Sequence, residues 1–168
     1  MSATTPISEP GRPAAVGTEH NPEGRSVEGA RRLPLREGLF EMPNALHELP
    51  RLIGVRCPAC GARFATPRVI CLQCEHRGLE RCTLSPTGTV WTFTIVHQQP
   101  PGSVMQVPYA IAQVELDDGP IVASTIVDTP LESVRVGLPV EMTLHTVRRN
   151  EEGNDVVAHA FRARRGSQ

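Results

Sequence analysis

Four cysteines carry the strongest chemical signal in this 168-residue chain. They stand as Cys57-Pro-Ala-Cys60 and Cys71-Leu-Gln-Cys74, two Cys-x-x-Cys pairs with ten residues between them. Each pair forms a tight turn whose two sulfurs point the same way, and the intervening run lets the second turn fold back onto the first. Four soft thiolates so spaced match the donor set that tetrahedral zinc requires. A catalytic zinc keeps one position open for water, and four thiolates leave none. Cys57, Cys60, Cys71 and Cys74 are therefore expected to hold a structural Zn2+. Iron bound by the same four sulfurs would share that geometry and stays open as an alternative. A redox dithiol or a pair of disulfides fits less well, because both pairs are present and nothing in the sequence reads as secretory. His76, two residues past Cys74, is surplus to a closed shell and is expected on the surface.

The remaining reactive side chains form no catalytic constellation. There is no Gly-rich phosphate loop, no G-x-S-x-G elbow and no His-Glu-x-x-His motif. His20, His47, His76, His97, His145 and His159 are scattered. Of these, His97, His145 and His159 are the ones that neighbouring strands could bring together at a barrel mouth, although strand histidines are more ordinarily exposed or hydrogen-bonded. Cys82 is left over after the four ligands, an odd thiol at home in a reducing cytoplasm, and it would be a nucleophile only with a base beside it. No catalytic residue is expected.

All 17 basic residues are Arg, against 18 acidic ones, for a formal net charge of -1. A near-neutral chain has no global field to draw nucleic acid. A single-stranded nucleic-acid module is the rival from a different class. It would need stacking aromatics, yet Trp91, Phe93, Tyr109 and Phe161 must be shared between core and surface. No apolar run approaches the ~20 residues that span a bilayer, and the start of the chain lacks the apolar core of a signal peptide. The expectation is a cytoplasmic protein without membrane contact.

The elements that must position the cysteines follow from pattern. Residues 1–32 are rich in Pro, Gly, Ser and Glu without apolar periodicity, which predicts a disordered tail. From 33 to 53, Leu35, Leu39, Phe40, Met42, Leu46, Leu49, Leu52 and Ile53 recur at spacings that suit short helical turns broken by Pro43 and Pro50, with Asn44 as an N-cap. This segment is too short for its own core, so it must clasp the rest of the chain or dock on a partner. A zinc ribbon is expected over 54–82.

Residues 83–163 read as all-β, with a C-terminal tail at 164–168. Strands are predicted at Val90–His97, Tyr109–Leu116, Ile121–Val127, Val140–Val147 and Asp155–Phe161. Alternation puts Trp91, Phe93 and Ile95 on one face of the first. Asp118-Gly119 signals a hairpin, Glu151-Glu152-Gly153-Asn154 a second turn, and Thr129-Pro130-Leu131-Glu132 a capping box with one helical turn. Three strands, a turn of helix and two more strands are the pattern of a five-stranded OB barrel. The fold class is thus mainly β: a rubredoxin-like zinc ribbon followed by an OB-fold barrel, with short N-terminal helices.

These motifs together resemble one family. The run Cys57-x-x-Cys60-Gly61-x-x-Phe64-x-x-Pro67-Arg68-x-x-Cys71-x-x-Cys74, then Leu84-Ser85-x-x-Gly88-Thr89-Val90-Trp91, Val107-Pro108-Tyr109-Ala110, Leu116-Asp117-Asp118-Gly119-Pro120 and Gly137-Leu138-Pro139-Val140, resembles the zinc-ribbon OB-fold proteins associated with acyl-CoA metabolism. The likeness covers roughly residues 35–162. It implies a non-catalytic small subunit that docks on a thiolase-like catalytic subunit in a hetero-oligomer and borders its channel for CoA or acyl-CoA. The stretch Leu35–Glu41 is similar to the subgroup that includes the small subunit of benzoylsuccinyl-CoA thiolase, and partners of steroid side-chain thiolases or aldolases are the nearest alternatives. Contacts to the CoA phosphates would come from arginines, with Arg68, Arg148 and Arg149 as candidates and Arg162 and Arg164 behind them.

Overall fold

Alternation of apolar and polar side chains lays down the strands, and the closure of those strands makes the core. The computed structural model describes residues 31–43, 48–99, 101–103, 105–164 and 166. In chain order its strands are β1 Arg32–Pro34, β2 Phe40–Glu41, β3 Arg51–Arg56, β4 Arg63–Phe64, β5 Glu80–Thr83, β6 Thr87–Val96, β7 Tyr109–Leu116, β8 Ile121–Ile126, β9 Pro139–Arg149 and β10 Asp155–Ala163. Strands β6 to β10 close on themselves. β6 pairs with β7, β7 with β8 and β9 with β10, all antiparallel; β10 meets β8 in parallel at Phe161 and Ile126; β9 returns antiparallel to β6. This is the expected five-stranded barrel, and the five predicted strands match β6 to β10.

The barrel is filled rather than hollow at its centre. Val90, Ala110, Val114, Val140, Met142 and Phe161 are all at most 1% exposed, and burying each larger side chain contributes about 1.5–3 kcal/mol. Gly88 is required where β6 crosses β7, because a Cβ there would stand 2.3 Å from the Glu115 carbonyl oxygen. Thr129-Pro130-Leu131-Glu132 does give one 3-10 turn, Leu131–Ser133, but no side chain caps it. The Thr129 hydroxyl instead donates to the Val127 carbonyl and accepts from the Ala163 amide, tying the start of that turn to the end of β10.

Two expectations need correction. The described part of 33–53 forms short strands joined by turns, not helices. Gly38 has φ +73°, and Pro34 and Pro43 break any helical run. More decisively, the edges of two sheets supply backbone partners. β1 runs parallel to β10, whose first half has no other neighbour on that side, and β2 pairs with β3. Phe40 and Leu52 face each other across β2 and β3 and enter the core, with Leu39 and Met42 packed behind them, so the segment is an intramolecular clasp. Arg31 and Arg32, assigned to the tail, belong to this pairing: the Arg31 carbonyl accepts the Asp155 amide. The rest of the expected tail and the Asn44 cap lie outside the described residues.

The second correction is in β6. A bulge between Val90 and Thr92 inserts Trp91 as an unpaired residue. Val90 turns inward before it, Phe93 and Ile95 pack on the core after it, and Trp91 stands 55% exposed. The face expected to hold Trp91 with Phe93 and Ile95 is therefore split by one residue.

Candidate metal centre

Two near-identical knuckles build the cysteine site. In the first, the Gly61 amide donates to the Cys57 carbonyl at 2.9 Å and Gly61 takes φ +78°. In the second, the Glu75 amide donates to the Cys71 carbonyl at 3.0 Å and Glu75 takes φ +60°. Glycine fills the left-handed position in one knuckle, and a side-chain-bearing residue is forced into it in the other. β3 leads into the first knuckle and β4 leaves it, paired Val55 to Phe64 and Arg56 to Arg63. β5, leaving the second knuckle, pairs with the other edge of β3.

The four Sγ atoms all lie within 4.8 Å of one another, with Cys57–Cys74 and Cys60–Cys71 each at 3.6 Å. A tetrahedral ion with metal–sulfur bonds of about 2.3 Å has sulfur–sulfur edges near 3.8 Å, so the cluster fits zinc closely. Cys57 and Cys71 are buried and Cys60 and Cys74 exposed, so any ion would be covered on one side only. Thiols this close cannot all ionise without a cation. The Cys71 thiol, despite burial pushing it up, is lowered to about 7 by the amides of Gln73 and Cys74 and by its sulfur neighbours. The Cys74 thiol, despite the His76 amide pulling it down, is raised to about 12 by the neighbouring thiols and burial. His76 itself is exposed.

A carboxylate that sequence spacing did not single out joins this ribbon to the barrel. Asp118, in the β7–β8 turn, accepts the Arg63 guanidinium at 2.8 Å and the Ser85 amide at 3.0 Å through one oxygen. Its other oxygen, Oδ1, is buried without a donor. Arg63 lies between the knuckles and Ser85 in the connection to the barrel, so one side chain fixes three pieces of the chain. Asp118-Gly119 signalled only a turn, which it does form, with the Gly119 amide donating to the Leu116 carbonyl at 2.8 Å. The separation of 55 positions between Arg63 and Asp118 left the contact without a sequence signal.

The other candidates are dispersed. His145 is in register with Ala158 and His159 with Leu144, adjacent rows that alternate faces, so the two histidines point to opposite sides of the sheet. His97 is exposed beyond β6. His159 is largely buried, with Nδ1 lacking a partner, and burial lowers its pKa against a backbone hydrogen bond with Ala123 that raises it. Cys82 packs on the core opposite Gly54. Burial pushes its thiol up, with Asp118 adding to this and Arg63 and Arg56 opposing, so it is not activated. Arg68 lies over the Phe64 ring, 4.4 Å from its centre. Arg149 is paired with Asp155 at 3.0 Å and Arg162 with Glu141 at 2.8 Å, while Arg148 and Arg164 are exposed. Arg68 is thus on the ribbon and Arg148 and Arg149 on the β9–β10 hairpin, not on one common element. Among the described residues no helix is long and apolar enough to cross a membrane.

Comparison with known proteins supports this layout. Residues 82–145 match the family model described as ChsH2, C-terminal OB-fold domain. A DUF35 domain-containing scaffold protein of Methanocaldococcus jannaschii is 36% identical over 113 residues, covering 66% of this chain and 79% of the relative. The benzoylsuccinyl-CoA thiolase subunit BbsA of Thauera aromatica is 29% identical over 124 residues, 74% of this chain and 83% of that one. A solved structure described as the Ltp2-ChsH2(DUF35) aldolase is similar at 25% identity and a TM-score of 0.57, covering 67% of this chain and 84% of that one. Four clustered cysteines on a ribbon, a filled OB barrel and this degree of identity place the chain in the DUF35 family of ChsH2-type OB-fold scaffold proteins.

Proposed function

We propose that this chain is a non-catalytic accessory subunit that docks on a thiolase- or aldolase-type catalytic subunit and borders its acyl-CoA channel. The observation that carries the reading is the pairing of a thiolate-clamped ribbon with a filled barrel in a family whose relatives include a thiolase subunit and the ChsH2(DUF35) component of an aldolase. Structural zinc, when bound, cross-links the two knuckles. The chain's own residues do the rest: Arg63, Asp118 and Ser85 fix the ribbon on the barrel, and the exposed Arg148 offers a guanidinium group to CoA phosphates. Carbon–carbon bond chemistry at the thioester belongs to the partner. Benzoylsuccinyl-CoA thiolysis is the particular reaction favoured by the resemblance to the Thauera subunit.

Co-expression with the thiolase-type protein encoded in the same genome tests the reading. The expected result is a single hetero-oligomeric peak that contains both chains in fixed ratio. Separate elution of the two at micromolar concentration would overturn it.

A further inference from the structure

The outer face of the ribbon sheet is unusual in composition. On β3, Leu52 and Gly54 turn inward; a Cβ on Gly54 would stand 2.5 Å from the Phe64 carbonyl oxygen and 2.9 Å from Leu84. Alternation therefore sends Arg51, Ile53 and Val55 outward. Register brings Phe64 and Arg81 to either side of Val55, and Thr83 beside Ile53. Arg68 covers the Phe64 ring. The result is a half-buried apolar row, Ile53–Val55–Phe64, bordered by Arg51, Arg68 and Arg81.

None of the three apolar side chains packs on the core. No ion pair joins the three arginines to a carboxylate among the described residues. Glu41, opposite Arg51, is the acidic residue that register brings to this face. Charge is also segregated along the chain: residues 51–82 hold six Arg and two Glu, whereas the whole chain is formally -1. Four thiolates and a divalent ion would subtract two charges and leave this stretch positive.

An apolar centre with an arginine rim is the composition of a protein interface core and its surround. We propose that this face seats an acidic surface patch with an aliphatic centre on the catalytic subunit, a docking site that rests on the accessory-subunit reading above. Nucleic acid is the poorer match. Strand-binding grooves stack bases on successive aromatic rings, and here the one ring, Phe64, is already covered by Arg68 and flanked by the aliphatic Val55.

The test uses full-length, zinc-loaded protein titrated with the thiolase-type protein of the same genome. Arg51→Glu/Arg81→Glu is compared with Arg36→Glu/Arg135→Glu, which makes the same charge change at exposed positions elsewhere. The expected result is a loss of about tenfold or more for the first variant, about twofold or less for the second, and wild-type affinity that falls with salt. Hydrogen exchange over 51–56 and 80–83 in the wild-type complex should slow, a readout independent of how the variants fold. If the wild type binds and Arg51→Glu/Arg81→Glu binds equally well without slowed exchange, this docking site is wrong and the accessory role stands. If the wild type does not bind, both fall. Salt-dependent capture of a single-stranded oligonucleotide, abolished by Arg51→Glu/Arg81→Glu, would replace the protein partner with nucleic acid.

Discussion

Side chains with few alternatives were legible one at a time. The clustering of Cys57, Cys60, Cys71 and Cys74 needed only spacing, because two Cys-x-x-Cys turns that fold onto each other bring four sulfurs together. The structural-zinc proposal predicts that replacing Cys74 by Ser removes most bound zinc, measured by elemental analysis, and unfolds the ribbon, since metal binding would supply on the order of 10 kcal/mol to its folding. Glu75 was not legible, because its left-handed backbone depends on a second knuckle copying the first. Glu75→Gly should stabilise the zinc-loaded protein by about 1 kcal/mol in denaturant titration. His159 carries a pH effect with a defined sign. Burial lowers its folded pKa, so between that value and about 6.5 the unfolded chain binds more protons, and stability falls as pH drops through this window. Urea unfolding of wild type and His159→Leu at pH 7 and 5 should show a smaller acid loss in the variant.

Strands read well and their junctions poorly. Ala110, Ala112, Val114 and Leu116 alternate cleanly because β7 is paired antiparallel on both sides and carries no extra residue of its own. β6 broke the same rule because a bulge depends on the partner strand, which no local window contains. The clasp of β1 and β2 is a parallel case. Its apolar spacing suited helix, but free edges on β10 and β3 provided pairing that local propensity could not anticipate. Asp118 gives the sharpest prediction at this scale. Asp118→Ala should cost about 1–3 kcal/mol, and in a double-mutant cycle Arg63→Ala should cost less in that background than alone. Gly88→Ala should cost at least about 2 kcal/mol, because the obstructing atom is backbone and has no rotamer to yield.

For the molecule as a whole, a ribbon that gathers four cysteines is joined to a barrel whose interior is filled by packing. Pattern in the sequence sufficed for the barrel, whereas the seam between ribbon and barrel required coordinates. The proposed division of labour assigns docking to the ribbon and channel lining to the barrel, and leaves bond making and breaking to a second protein. Its most direct test is the rate of acyl-CoA carbon–carbon cleavage by the purified chain alone, the purified catalytic subunit alone, and the two combined in equal amounts. The account predicts no turnover by the chain alone and full activity only in the mixture. Turnover by the chain alone, or a catalytic subunit equally active with and without it, would contradict it.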